Sequence, residues 1–200
     1  KQALLLLSKQ AGVDMAKSHV TYGFFGATVH QEHRKSDCPK IKEKLNSVKS
    51  IQLGTNSNNN IDIDLNPLRN FTNLEHLTIR FNKFVGSLKS LEGLSNLKSL
   101  SLRGTVYLTT ANHCDIDREN LKFILGLKKL ESLEVSGCKM DSDTIGDLGQ
   151  LPNLRELNIS GNSNSDSLRV LSQLKKLKRL SLIGGKVRDI SPPRGLSQLE

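Results

Sequence analysis

An α/β solenoid of short parallel strands is the fold class this sequence predicts, and three observations carry it. One nine-residue pattern recurs six times, each copy alternates apolar and polar residues with a period of two, and aromatics are too few to centre a core. Self-similarity at a period of ~20 to 29 residues is the mark of a stacked repeat array. The two-residue period is that of a strand with one buried face. With aromatics at 4% and no Trp, leucine is left to fill the interior.

The pattern is apolar, two variable, apolar, one variable, apolar, two variable, then a small polar residue. It occurs as VKSIQLGTN from Val48, LEHLTIRFN from Leu74 and LKSLSLRGT from Leu97. LESLEVSGC from Leu130, LRELNISGN from Leu154 and LKRLSLIGG from Leu177 follow, and a seventh copy begins at Leu199. Successive starts differ by 26, 23, 33, 24, 23 and 22 residues. In VKSIQLGTN, Ile51 and Leu53 flank Gln52, so one strand face is apolar and the other polar. A single copy cannot bury its own leucines, so copies must stack, strand beside strand, with the returning segments behind.

On these residues, from about Leu45 to Glu200, the chain resembles the leucine-rich-repeat family. The lead-ins SLEGLSNL, ILGLKKL, DLGQLPNL and VLSQLKKL, with VRDISPPRGLSQL near the end, look like the short internalin-like class of repeat. The resemblance implies a right-handed solenoid of about six to seven repeats, with a parallel sheet on its concave side. It also implies that a ligand lies on that concave sheet.

Position nine is Asn56, Asn82, Thr105, Cys138, Asn162 and Gly185 in turn. The chain bends inward there, and Asn, with both a donor and an acceptor, satisfies buried backbone groups best. Thr and Cys are weaker substitutes, and Gly185 offers no side-chain bond, so the sixth turn is expected to be the loosest.

Two regions depart from the pattern. The interval of 33 residues after Leu97 is about ten too long, which places an insertion near 105–120. Within it, Asp117 to Gly126 has the pattern of a short helix with Leu121, Ile124 and Leu125 on one side, and Tyr107 to Asp115 bulge. Such an insertion is either a binding element or an inert loop. Residues 1–45 carry no repeat signature; they are expected to cap the first repeat or to end an upstream helical domain. Residues 46–200 form the repeat domain. Ending partway through a repeat, without a polar capping copy around Leu196 and Leu199, the chain is expected to be a fragment of a longer protein.

Against 20 Asp and Glu stand 29 Lys and Arg, a formal net charge of +9, which favours acidic partners without choosing among them. Three widely spaced cysteines, Cys38, Cys114 and Cys138, lack the even count and density of a disulfide-stapled domain. A reducing, cytoplasmic setting is therefore expected. The longest apolar run, Ala3 to Leu7, falls far below the ~20 residues of a membrane span.

Little in the chain points to chemistry. His30, His33 and Cys38 have a superficial likeness to zinc ligands but lack a fourth, so no metal and no cofactor are expected. His113 to Asp117 are adjacent residues that cannot face one another as nucleophile and base. No G-x-x-x-x-G-K-[ST], G-x-S-x-G or H-E-x-x-H occurs, so phosphate-cradling, hydrolase and zinc-protease chemistry lack their local signatures. The glycosylation triplets at Asn70 and Asn158 are taken as coincidence. The chain is not expected to be an enzyme.

Outward residues of the strands would form the ligand face. His76, Arg80 and Arg103 make a basic end, Glu134 and Glu156 an acidic middle, and Arg179 opens a second basic zone near Lys175, Lys176 and Lys178. His76, Arg80, Phe81 and Arg103 are the expected contact centre, with Glu134, Glu156 and Arg179 completing the face. Mixed polarity favours a protein partner, since nucleic acid calls for a continuous positive track and stacking aromatics. The expected function is a protein-interaction scaffold, such as the sensing part of an immune receptor or a pathogen effector. Nucleic-acid or anionic-surface binding driven by net charge is the alternative, and an enzyme with its chemistry upstream is a third.

Overall fold

A computed structural model describes residues 19–21, 46–53, 65–81, 87–104, 114–160, 171–182 and 196–200. Among these, nine strands and two short helices are laid out in chain order. The strands are β1 (His19–Thr21), β2 (Ser50–Leu53), β3 (His76–Phe81), β4 (Ser99–Gly104), β5 (Cys114–Asp115), β6 (Ser132–Ser136), β7 (Cys138–Lys139), β8 (Glu156–Asn158) and β9 (Arg179–Ser181). The helices are α1 (Arg118–Leu125) and α2 (Ser142–Asp147). Seven strands form one parallel sheet in the order β1-β2-β3-β4-β6-β8-β9, while β5 and β7 pair separately. Each of the six sequence copies supplies one strand of the large sheet, as a leucine-rich-repeat solenoid requires.

The register explains why the apolar positions were spaced as they are. Ile51, Leu77, Leu100, Leu133, Leu157 and Leu180 stand side by side as Cα partners across the sheet. All but Leu180 are buried. Leu53, Ile79, Leu102 and Val135 form the next buried column. Val48, Leu74, Leu97, Leu130, Leu154 and Leu177 close the core at the strand entries. Behind the sheet, 3-10 turns at Asn66–Asn70, Leu88–Leu91 and Leu148–Gln150 return the chain and add Leu68, Leu88, Leu91 and Leu148.

Strand entry is fixed by a repeated backbone device. The carbonyl of the second residue in one copy accepts N–H bonds from the second and third residues of the next. Lys49 thus accepts from Glu75 at 2.8 Å and His76 at 2.9 Å, and Glu75, Lys98, Glu131 and Arg155 repeat the arrangement. At the far end the Glu200 N–H donates to the Lys178 carbonyl at 2.8 Å, so the seventh copy enters in register.

The insertion resolves partly into helix. Asp117 caps α1 by accepting the Asn120 N–H at 2.8 Å, and Leu121 and Ile124 are buried while Leu125 packs against the core. Residues 105–113 lie outside the described residues. Asn120 is buried, and its Oδ1 accepts the N–H of fully buried Leu88 at 2.8 Å, tying α1 to the returning turn of an earlier copy. Replacing Asn120 by Leu leaves that N–H without its acceptor, and urea denaturation is expected to show a loss of about 1–3 kcal/mol.

In the flank, His19–Thr21 pair in parallel with Ser50–Gln52, adding a strand to the edge of the sheet beside the first copy. His30, His33 and Cys38 lie outside the described residues, as does every position-nine residue except Cys138.

Candidate functional site

The outward side chains fall into lateral rows set by the strand register. His76, Ser99, Ser132, Glu156 and Arg179 make one row. Gln52, Thr78, Ser101, Glu134, Asn158 and Ser181 make the next. Arg80, Arg103 and Ser136 make a third. His76 and Arg103 are exposed, Arg80 half-buried.

Zones of opposite charge were expected on this face, but neighbouring strands pair their charges instead. Arg103 Nε and Nη2 donate to Glu134 Oε2 at 2.9 and 2.7 Å, and Ser101 Oγ donates to the same oxygen at 2.8 Å. One strand along the pattern recurs: Arg179 pairs with Glu156, which also accepts from Ser132 Oγ at 3.3 Å. Strands ~4.8 Å apart bring long side chains one strand away within bonding reach. The second basic zone is likewise split: Lys178 sits at the strand entry with Glu200 at 3.2 Å, and Lys175 and Lys176 lie on the preceding turn.

Phe81 is not on this face. It is 5% exposed, because the alternation that turns Leu77 and Ile79 inward carries on to the eighth position. Its register partner is Gly104, and a Cβ on that glycine would stand 3.3 Å from the Phe81 ring, so the missing side chain makes room for the aromatic. Of the residues expected as the contact centre, His76, Arg80 and Arg103 remain on the outward face.

Two features escaped the sequence reading. The first is a charge ladder at position two, Lys49, Glu75, Lys98, Glu131, Arg155, Lys178 and Glu200. Lys49 and Lys98 hold Glu75 at 2.9 and 2.6 Å, and these bonds, Lys98 first, lower its pKa from the ordinary 4.5 to about 2. A carboxylate whose folded pKa is depressed stabilises fully above the unfolded value and loses that contribution as pH falls through the folded one. Stability is thus expected to drop between about pH 4.5 and pH 2. Glu75→Gln should flatten that stretch of the pH–stability curve in chemical denaturation, most visibly at low salt because the pairs are solvent-accessible.

The second feature is Cys138, which is disulfide-bonded, not a free thiol. It is 1% exposed at its inward ninth position. Cys114, in β5, is its Cα partner in the parallel register. Counting cysteines could not show that the insertion returns a second one beside Cys138.

Comparison with known proteins bears on the fold. No family model matches the chain, and no curated protein matches it. Solved structures do. An internalin (inlF) from Listeria monocytogenes has 25% identity over 80% of this chain, with a TM-score of 0.52. A leucine-rich-repeat protein from Leptospira interrogans has 25% identity over 73%, with a TM-score of 0.51. An internalin C2 from Listeria monocytogenes, at 20% identity and 79% coverage, has a TM-score of 0.50 and shares the fold. The matches cover 48% of the first protein, 39% of the second and 81% of the third, so the chain spans half or less of two of them. Recurrent strands, register columns and these structural likenesses together give the chain an internalin-like leucine-rich-repeat fold.

Proposed function

We propose that this protein is a non-enzymatic scaffold that binds another protein on the outward face of its parallel sheet. The observation that carries the reading is the cross-strand bonding of that face. Arg103 and Glu134, and Arg179 and Glu156, are held in place before any partner arrives. Side chains already ordered lose less entropy on binding than free ones. Arg80 and Arg103, adjacent in register, with exposed His76 on the row beside them, give the face a basic end suited to an acidic patch.

Among the described residues no helix is long and apolar enough to cross a membrane. The Cys138 disulfide supports an oxidising setting, since such bonds are rare where glutathione keeps thiols reduced. A receptor or effector role would fit the scaffold reading.

The test is affinity capture at low and at near-physiological salt, with nuclease, followed by comparison of the wild type with Arg80→Glu/Arg103→Glu. A discrete protein retained at both salts and lost from the double variant, shown to be folded by a cooperative thermal transition, is the expected result. Retention by the variant would move the interface off the sheet.

A further inference from the structure

On the sheet face Arg103 and Arg179 are each paired with a glutamate. In the position-two ladder Lys49 and Lys98 pair with Glu75, and Lys178 with Glu200. Among the described residues, lysines also gather as two exposed pairs on turns just before strand entry. The two residues preceding the first apolar position are Thr72–Asn73, Ser95–Asn96, Lys128–Lys129, Pro152–Asn153, Lys175–Lys176 and Ser197–Gln198. None of these turns carries a carboxylate, and all four lysines are exposed.

Neutral partners hold two of the ammonium groups. Lys129 Nζ donates to Asn96 Oδ1 at 2.7 Å, and Lys176 Nζ donates to Asn153 Oδ1 at 2.9 Å. Those asparagines are anchored in turn, their Nδ2 groups donating to the carbonyls of Thr72 at 3.1 Å and Lys128 at 2.9 Å. An asparagine can fix a lysine without cancelling its charge. The two lysine pairs belong to copies separated by a single strand, so they repeat at roughly 10 Å along the row. Exposed Arg155 lies between them.

We propose that this rim binds a linear sulfated polysaccharide running along the row of turns. The ammonium groups are point charges without the planar fork that pairs two oxygens of one phosphate. No turn presents an aromatic on which bases could stack or a large apolar side chain to enter a bilayer. The Cys138 disulfide suits an oxidising setting, away from the reducing compartments in which most nucleic acid is held.

Heparin is the probe, with charge-matched random duplex DNA and phosphatidylserine vesicles as competitors. At near-physiological salt the wild type should bind heparin more tightly than either competitor. Lys128→Gln/Lys129→Gln/Lys175→Gln/Lys176→Gln should weaken heparin binding at least about tenfold, since each neutralised contact steepens the loss. Arg103→Gln should leave it unchanged. Lys128→Gln/Lys175→Gln spares the two asparagine bonds; it should lose several-fold and keeps the test open if the fourfold variant is unstable. Undiminished heparin binding by both variants, no binding by the wild type, or tighter binding of DNA or vesicles would overturn the proposal. A protein partner captured on the sheet face should still bind the fourfold variant, so failure there and failure here are separable.

Discussion

Gly137→Ala is expected to cost about 2–5 kcal/mol in urea denaturation, although it adds a single methyl group to a half-buried position. Gly137 has φ +66°, the left-handed region in which an L side chain is disfavoured by roughly 1–2 kcal/mol. An added Cβ would also stand 2.6 Å from the Gly104 carbonyl oxygen and 2.9 Å from its carbon. Both are backbone atoms of the neighbouring strand, so relief requires the two copies to separate, and overpacking of this kind typically costs about 1–3 kcal/mol more. The Gly137 N–H also donates to the Ser160 carbonyl at 3.0 Å, linking a third copy to the same point. Ser136→Ala, one residue away on the solvent side, should change stability by less than about 0.5 kcal/mol. If the two variants unfold alike, the close approach of Gly104 and Gly137 does not exist in solution.

Legibility in the sequence followed periodicity. Apolar residues at positions one, four and six of the first five copies are buried, because a period of two leaves no other way to place them. The helix in the insertion was equally readable, since Asp117 supplies a cap and Leu121 and Ile124 a stripe. Phe81 was misplaced because its eighth position was grouped with the variable residues, although Leu77 and Ile79 had already fixed the parity that turns it inward. Glycine at that position in the Leu97, Leu130, Leu154 and Leu177 copies was the available signal: a column that holds Phe once and Gly four times is a packed column.

The candidate site was legible as a list of outward residues and not as a set of bonds. Which charges meet depends on register between copies that are 33 residues apart for Arg103 and Glu134, and such a distance leaves no local trace. The ladder at position two could have been found by reading the copies as columns, where Lys49, Glu75, Lys98 and Glu131 alternate in sign. That Cys138 is disulfide-bonded could not be read from three widely spaced cysteines.

Leu133→Ala is expected to lose about 2–5 kcal/mol, the range for truncating a fully buried leucine. Leu133 is 1% exposed and stands between Leu100 and Leu157 in the central column of the sheet. Neither neighbour can follow a removed side chain inward without breaking its own ladder bonds, so the cavity persists and the loss should approach the upper part of that range. The same substitution is a test of register. A slip of one residue would bring every inward side chain of β6 to the solvent face; Leu133 would then be exposed, and its truncation would cost less than about 0.5 kcal/mol. Glu134→Ala measured beside it makes the comparison sharp. In the register described, that change removes the acceptor of Arg103 and Ser101 at a half-exposed site, where ion pairs contribute about 0–1 kcal/mol. In the slipped register it would remove a buried charge and raise stability. A large loss at Leu133 with a small one at Glu134 therefore fixes which side of the strand faces a partner, and with it which residues a binding experiment should change.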